Sequence, residues 1–190
     1  MQQISKDNLN ITYFNKSIDY SLTYKCVFLD RDGVIIEDTG FPSEISKIKF
    51  VKGIFTTLTH LKKLGYLIGI VTNQSGIARG FFTIEKFISI QTQINKHLCD
   101  RGIDIDFVIA CPYFKHGNPP YNIEHEFRKP LPGMINEVCR RIKIDKQNSF
   151  LVGDRITDIE SAKKANLKKA FLLSDKSFEE KNFKNLSGDK

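Results

Sequence analysis

Five short apolar runs recur along the chain, and between them lie stretches in which apolar residues return every three or four positions. The runs are KCVFL (25–29), YLIGIV (66–71), FVIA (107–110), SFLV (149–152) and AFLL (170–173), too continuous for strands with one wet face and of the length of strands buried on both. Among the intervening stretches, IFTTLTHLKKL carries Ile54, Phe55, Leu58, Leu61 and Leu64 at helical spacing, with Gly65 as its stop. Thr83 is placed to cap a helix from Ile84 to about Asp100, with Phe87, Ile90, Ile94 and Leu98 on its apolar face and Gly102 after its end. Pro132 suits the first turn of a helix over 133–142, and ITDIESAKKA completes the set. Strands alternating with helices predict an α/β fold, a Rossmann-like parallel sheet with helices on both faces. Residues 1–24 are polar with scattered aromatics and no period, and are read as an N-terminal extension of unassigned order. The expected domain covers 25–175, and 176–190 is a charged tail.

The chain's 190 residues suffice for one well-cored domain. No apolar run approaches the roughly 20 residues that a membrane-spanning helix needs, and MQQISKDNLN lacks the basic-then-apolar profile of a secretory signal, so a cytoplasmic protein is expected. Cys26, Cys99, Cys111 and Cys139 are scattered without a CxxC pair and are expected to be reduced thiols. The net charge of +7 would suit a polyanion, a small phosphorylated substrate or mere solubility, and by itself selects none of them. The expected state is a monomer or small homo-oligomer.

The parallel layout gathers chemistry that the linear sequence scatters. In an open α/β sheet ligands bind beyond the carboxyl ends of the strands, so the residues that follow each apolar run form one neighbourhood. Those residues are Asp30 and Asp32, then Thr72 and Asn73, then Cys111, then Asp154. Three carboxylates on one rim repel one another unless a cation sits among them. Hard oxygen ligands with room for water suit Mg²⁺, which is usually held by a few carboxylates and by phosphate oxygens of the substrate.

A carboxylate beside Mg²⁺ and phosphate can attack phosphorus and form an aspartyl-phosphate, and Asp30, nearest the strand end, is the candidate nucleophile. Asp32, two residues on, can reach the leaving-group oxygen as acid and then serve as base. Positive charge and donors around the transferring group would come from Thr72 and from Lys129 of FRKP, carried to the rim by the long loop after the third run.

The strings DRDGV, VTNQSGIARG, RKPLPG and GDRITD, in that order between residues 30 and 158, resemble the haloacid dehalogenase-like phosphatases and their DxD, Thr/Ser, Lys and GDxxxD signatures. Within them TNQSGIARG and RKPLPGM are similar to the branch with minimal or no cap that contains heptose bisphosphate phosphatases and histidinol-phosphatase domains. The resemblance implies a Mg²⁺-dependent phosphomonoester hydrolase with Asp30 as nucleophile, Asp32 as proton donor, and Thr72 and Lys129 as stabilisers of the phosphoryl group. It implies Mg²⁺ ligands at Asp30, Asp154 and the backbone of Asp32, and substrate contacts at Asp38, Thr39, Gly40, Phe41, Asn73, Gln74, Ser75, Arg128 and Arg155. Asp158 is expected to orient the site without binding the metal. The implied substrate is a small phosphorylated sugar of surface-polysaccharide synthesis, heptose 1,7-bisphosphate, with histidinol phosphate, a polynucleotide 3′-phosphate and a non-catalytic scaffold as the competing readings. No membrane partner is expected, and nucleic acid is the weaker fit because no stacking platform accompanies a basic groove.

One segment departs from the family pattern. The branch usually carries a zinc loop of the form CxH and CxC before RKP, whereas this chain reads CPYFKHGNPPYNIEHEFRKP. Tyr113 stands at the first His, and His125 and Phe127 stand at the two later cysteines. Cys111 with His116 and His125 would make only three ligands, a poor structural zinc site, so no zinc is expected. Tyr113, Phe114, Tyr121, Phe127 and the prolines are then expected to order the loop.

Overall fold

The computed structural model describes residues 5–7, 10–40, 48–173 and 177–178. Seven strands form one sheet in the order β1 (Ser5–Asp7), β2 (Asn10–Phe14), β6 (Phe107–Cys111), β5 (Leu67–Asn73), β4 (Cys26–Leu29), β8 (Phe150–Gly153) and β9 (Lys169–Leu172). From β6 to β9 all pairings are parallel, whereas β2 runs antiparallel to β6 and β1 antiparallel to β2. Two residue pairs, β3 (Thr23–Tyr24) and β7 (Lys143–Ile144), make a separate parallel ladder. The helices are α1 (Ile54–Lys63), α2 (Ile84–Cys99), α3 (Gly133–Arg141) and α4 (Ile156–Lys164). All five apolar runs are strands and all four helical stretches are helices, with ends one or two residues from those expected.

The alternation within β4 shows how the sheet is sandwiched. Val27 and Leu29 pack into a cluster with Ile54, Leu58 and Leu61 of α1 and with Phe87, Ile90, Ile94 and Leu98 of α2. Cys26 and Phe28 point into a second cluster with Met134, Ile135 and Val138 of α3 and Ala162 of α4. Period-two strands present opposite faces, and period-3.6 helices offer one stripe to each face. Thr83 caps α2 as expected, its hydroxyl accepting from the Lys86 N–H at 3.2 Å.

The stretch before residue 25 behaves differently from its sequence reading. Asn10–Phe14 is a strand with Ile11 and Tyr13 in the first core cluster and Phe14 against the second, so the extension forms a two-stranded edge on β6. Its alternation spans only five residues in a polar background, too short to register as a period. β6 is buried along its whole length, and β2 supplies its outer hydrogen-bonding partner.

The chain visits β4, moves outward on one side to β5 and β6, then crosses to β8 and β9 on the other side. The sheet therefore has its switch point between β4 and its two neighbours, the place where a doubly wound sheet opens a crevice beyond its carboxyl edge. Among the described residues no separate cap domain is inserted between these elements.

Candidate active site

β4 ends at Leu29, and Asp30 is held at the carboxyl edge by its N–H, which donates to the Val152 carbonyl of β8 at 3.0 Å. Asp154 follows β8 directly, on the other side of the switch point. Gly33 turns the chain out of the DRDGV segment with φ +79, and a Cβ there would run into the Asp154 carboxylate. The glycine thus meets two demands at once, a left-handed backbone and the close approach of an acid.

One oxygen each from Asp30, Asp154 and Asp158 lies within 4.8 Å of the others. Lys129 stands among them, only 3% exposed, with its Nζ 3.0 Å from Asp30 Oδ1, 2.5 Å from Asp158 Oδ1, and donating to the Val71 carbonyl at 2.9 Å. Burial alone would favour a neutral amine, but the two carboxylates outweigh it and hold the Lys129 pKa above that of a free lysine. Burial pushes the Asp154 carboxyl up to about 6, Asp30 adds to the rise, and Arg155 opposes it. Asp154 Oδ1 is buried without a hydrogen-bond partner. Three acids against one ammonium leave two negative charges at this point when all are ionised, an imbalance that a divalent cation would cancel.

The polypeptide fixes Lys129 through its backbone as well. Asn73, the last residue of β5, donates Nδ2 to the Lys129 carbonyl at 3.0 Å and accepts the Lys129 N–H at 3.1 Å. Asp158 is also held, its Oδ2 accepting the Arg155 N–H at 3.0 Å in the first turn of α4.

Asp32 belongs to a different network, and its carboxylate is not one of the three clustered acids. Arg31 donates to it through Nε and Nη2 at 2.9–3.2 Å, and Gln74 Nε2 donates at 2.8 Å. Arg31 also reaches Gln74 Oε1 at 3.1 Å and rests 5.1 Å from the centre of the Phe87 ring. Gln74 Nε2 in turn donates to the buried Thr72 hydroxyl at 2.9 Å. Two residues of one strand end thus have separate settings: Asp30 with Lys129, and Asp32 with Arg31 and Gln74.

Above these groups opens a cleft of about 530 Å³, lined by Asp30, Asp32, Lys129 and Asp158 and, further out, by Asp38, Gly40, Asn73, Gln74, Ser75, Arg128 and Arg155. Arg155 donates to Asp38 at 3.1 Å, which ties the loop after β4 to the N-terminus of α4. Thr39 is exposed and does not line the cleft, and Phe41 lies outside the described residues. The structure adds Arg79, Ile156 and Thr157 to the lining. Arg79 stands within TNQSGIARG, of which the sequence reading used only the first four residues.

The degenerate loop is filled by rings. His125 stacks on Tyr113 with centroids 4.2 Å apart and planes 15° from parallel, and Phe127 meets His125 edge-on at 4.9 Å. His125 Nδ1 accepts the Phe127 N–H at 3.1 Å. Tyr113 is buried and lies 6.2 Å from Tyr121. Cys111 is fully buried, and burial raises its thiol to about 11.

Residues 25–184 match the family model described as polynucleotide kinase 3 phosphatase. The D-glycero-beta-D-manno-heptose-1,7-bisphosphate 7-phosphatase of Pasteurella multocida is 40% identical over 149 residues, covering 78% of this chain and 81% of that protein. A crystal structure from Mesorhizobium loti, described as of a HAD-like phosphatase, superposes with a TM-score of 0.87 at 28% identity over 97% of this chain and 94% of that one. The D,D-heptose 1,7-bisphosphate phosphatase of B. bronchiseptica, complexed with magnesium and phosphate, gives a TM-score of 0.68 at 29% identity, covering 77% of this chain and 79% of that one.

Proposed function

This chain belongs to the haloacid dehalogenase-like phosphatases, and from that premise we propose that it hydrolyses the 7-phosphate of D-glycero-D-manno-heptose 1,7-bisphosphate through an aspartyl-phosphate on Asp30. The observation that carries the chemistry is the juxtaposition of Asp30, Asp154 and Asp158 around Lys129 at the switch point of the sheet. The substrate is argued from the relatives, whose printed activity is on this sugar, and from a cleft lined by arginines beyond the acids. The cytoplasmic location belongs to the same proposal; among the described residues no helix is long and apolar enough to cross a membrane.

The donor set fits Mg²⁺: hard carboxylate oxygens, one of them buried and unbonded, with two negative charges in excess. Asp30, Asp154 and the backbone carbonyl of Asp32 would hold it, while Asp158 braces Lys129 and the start of α4. When bound, the ion supplies positive charge that offsets repulsion between the phosphate and the attacking carboxylate.

In the first half-reaction an Asp30 oxygen forms a bond to phosphorus as the bond to the sugar oxygen breaks, and Asp32 gives its proton to that oxygen. The Lys129 ammonium and the Thr72 hydroxyl face the charge that spreads over the transferring group. In the second half Asp32 takes a proton from a water molecule that attacks phosphorus, and the Asp30–phosphorus bond breaks to release phosphate and restore both acids. Arg31 and Gln74 donate to the two oxygens of Asp32 and so hold its carboxylate in place for both transfers.

The family model's description favours a second reading, a polynucleotide 3′-phosphatase. Phosphate release with Mg²⁺ from heptose 1,7-bisphosphate, histidinol phosphate and a 3′-phosphorylated oligonucleotide separates the two, with Asp30→Asn as control. The bisphosphate is expected to be preferred. Preference for the oligonucleotide would replace the sugar reading, and release undiminished in Asp30→Asn would remove the nucleophile assignment.

A further inference from the structure

Ser177 and Phe178 lie in the stretch read from the sequence as a charged tail, yet Phe178 is buried. Its side chain belongs to the first core cluster, together with Val34, Ile36, Val51 and Ile54. Its main chain is held as well: the Phe178 N–H donates to the Lys52 carbonyl at 2.9 Å, and Ser177 pairs with Lys52 in parallel register. Gly53, with φ +82, makes this approach possible, because a Cβ there would collide with the Phe178 carbonyl oxygen.

Lys52 is one end of a run of main-chain contacts that leads to the catalytic turn. The Val51 N–H donates to the Ile35 carbonyl at 3.0 Å, the Glu37 N–H donates to the Lys49 carbonyl at 2.8 Å, and Ile36 pairs antiparallel with Phe50. The Ile35 and Ile36 N–H groups both donate to the Arg31 carbonyl, at 2.9 and 3.0 Å, and the Gly33 N–H donates back to the Ile36 carbonyl at 2.7 Å. The segments 31–33, 35–37, 49–52 and 177–178 are thus laid side by side. The first carries Arg31 and Asp32, and the second leads directly to Asp38 in the cleft wall. None of them is a strand of the seven-stranded sheet, so on this flank the turn is placed by its neighbours in the stack. A close-packed interior passes a small shift along such a stack and does not absorb it.

We infer that Phe178 is a positioning residue: as the outermost described member of this stack it braces the turn that aims the Asp32 carboxylate at the leaving group. The inference rests on the phosphatase reading and goes beyond it, since Phe178 does not line the cleft and acts only through Lys52, Val51 and Ile35.

The test compares Phe178→Ala and Phe178→Leu with Leu98→Ala, a truncation in the same core cluster at the last turn of α2. Kinetics are read with Mg²⁺ on heptose 1,7-bisphosphate or, where that is not hydrolysed, on p-nitrophenyl phosphate, at a temperature where circular dichroism shows every variant folded. Both alanine variants should melt about 5–15 °C below wild type. Phe178→Ala should lose kcat by about tenfold to a hundredfold with KM nearly constant, Phe178→Leu should recover most of it, and Leu98→Ala should keep kcat within about twofold. An equal loss of kcat in Leu98→Ala, or none in Phe178→Ala, would reduce Phe178 to a core residue and overturn the inference. Amide hydrogen exchange supplies a readout without turnover: Phe178→Ala should speed exchange at Gly33, Ile35, Ile36 and Val51 more than in β5 and β8, and uniform speeding would overturn the brace. If wild type releases phosphate from neither ester, the phosphatase reading fails on its own, and the exchange pattern alone upholds or overturns the brace.

Discussion

Asn73 and Lys129 are joined in both directions, the side-chain amide of one donating to the carbonyl of the other at 3.0 Å and accepting its N–H at 3.1 Å. This pair converts the end of a rigid central strand into the address of a lysine that arrives on a long loop. Lys129 is aimed by its main chain, and its ammonium is then gripped by Asp30 and Asp158. Asn73→Ala removes both bonds and leaves two main-chain groups to find other partners. The expected result is a fall in kcat of about tenfold to a hundredfold, since small misplacements of a positioned group cost this much. Stability should fall by about 1–3 kcal/mol. Steady-state kinetics and denaturant unfolding of the variant check both numbers, and an unchanged kcat would show that the ammonium finds its place without the backbone clasp.

The acid cluster predicts a metal-dependent gain in stability. A ligand that binds only the folded chain adds about 2.7 kcal/mol at a hundredfold excess over its Kd, which for a domain of this size is a rise in Tm of about 5–10 °C. Thermal scans with and without Mg²⁺ should show that rise in wild type. In Asp154→Asn, which removes an ionised ligand and part of the repulsion, the metal-free Tm should stay level or rise and the Mg²⁺ increment should shrink. An equal increment in both proteins would place the ion elsewhere.

Arg31 reaches both oxygens of Asp32 and also Gln74, from a position only 3% exposed beside Phe87. A lysine offers one charged point where this geometry uses a fork. Arg31→Lys is expected to lower kcat about tenfold to a hundredfold with little change in KM, because the substrate does not touch Arg31 and the proton-transferring carboxylate does. Kinetics that show a raised KM at constant kcat would reassign Arg31 to binding.

The ring-filled loop makes an acid-sensitive contribution through His125. Burial holds its imidazole pKa below the ordinary 6.5, and Nδ1 is occupied as the acceptor of the Phe127 N–H. The unfolded chain therefore binds this proton more readily than the folded one. The contribution is present above the unfolded pKa of about 6.5 and is lost as pH falls toward and through the lowered folded value. Comparing the drop in Tm from about pH 7 to about pH 5 in wild type and His125→Phe tests it, with a smaller drop expected in the variant. Equal drops would show that the histidine takes its proton without cost.

Much of this molecule can be read before folding. The five apolar runs are legible because strands of a parallel sheet are buried on both faces, and the rule that ligands collect beyond their carboxyl ends turns Asp30, Thr72, Asn73 and Asp154 into neighbours. Lys129 needed more: its loop is long and no strand end places it, so it was brought to the rim by the chemistry's need for positive charge there and by the resemblance of RKPLPG to a family string. The hairpin of β1 and β2 was missed because a five-residue alternation in polar sequence carries too little pattern to stand apart from loop. Arg79 was missed for another reason. Its guanidinium carbon lies 4.3 Å from the centre of the Phe114 ring, and a contact between turns thirty-five positions apart leaves no local periodicity. Asp38 and Arg155 were both read as substrate contacts, and the structure adds that they are paired with each other.

The central claim is that Asp30 attacks phosphorus, and the most direct measurement uses Asp32→Asn, in which release of the second half-reaction is blocked. Incubated with Mg²⁺ and p-nitrophenyl phosphate, whose leaving group needs no proton, then quenched in acid and digested, this protein should carry one phosphoryl group on Asp30. Localisation of that mass to the segment of residues 24–32, in which Asp30 is then the one aspartate, is the predicted result. Release of p-nitrophenol with no phosphoryl group on Asp30, or with the group on another residue, would contradict the account.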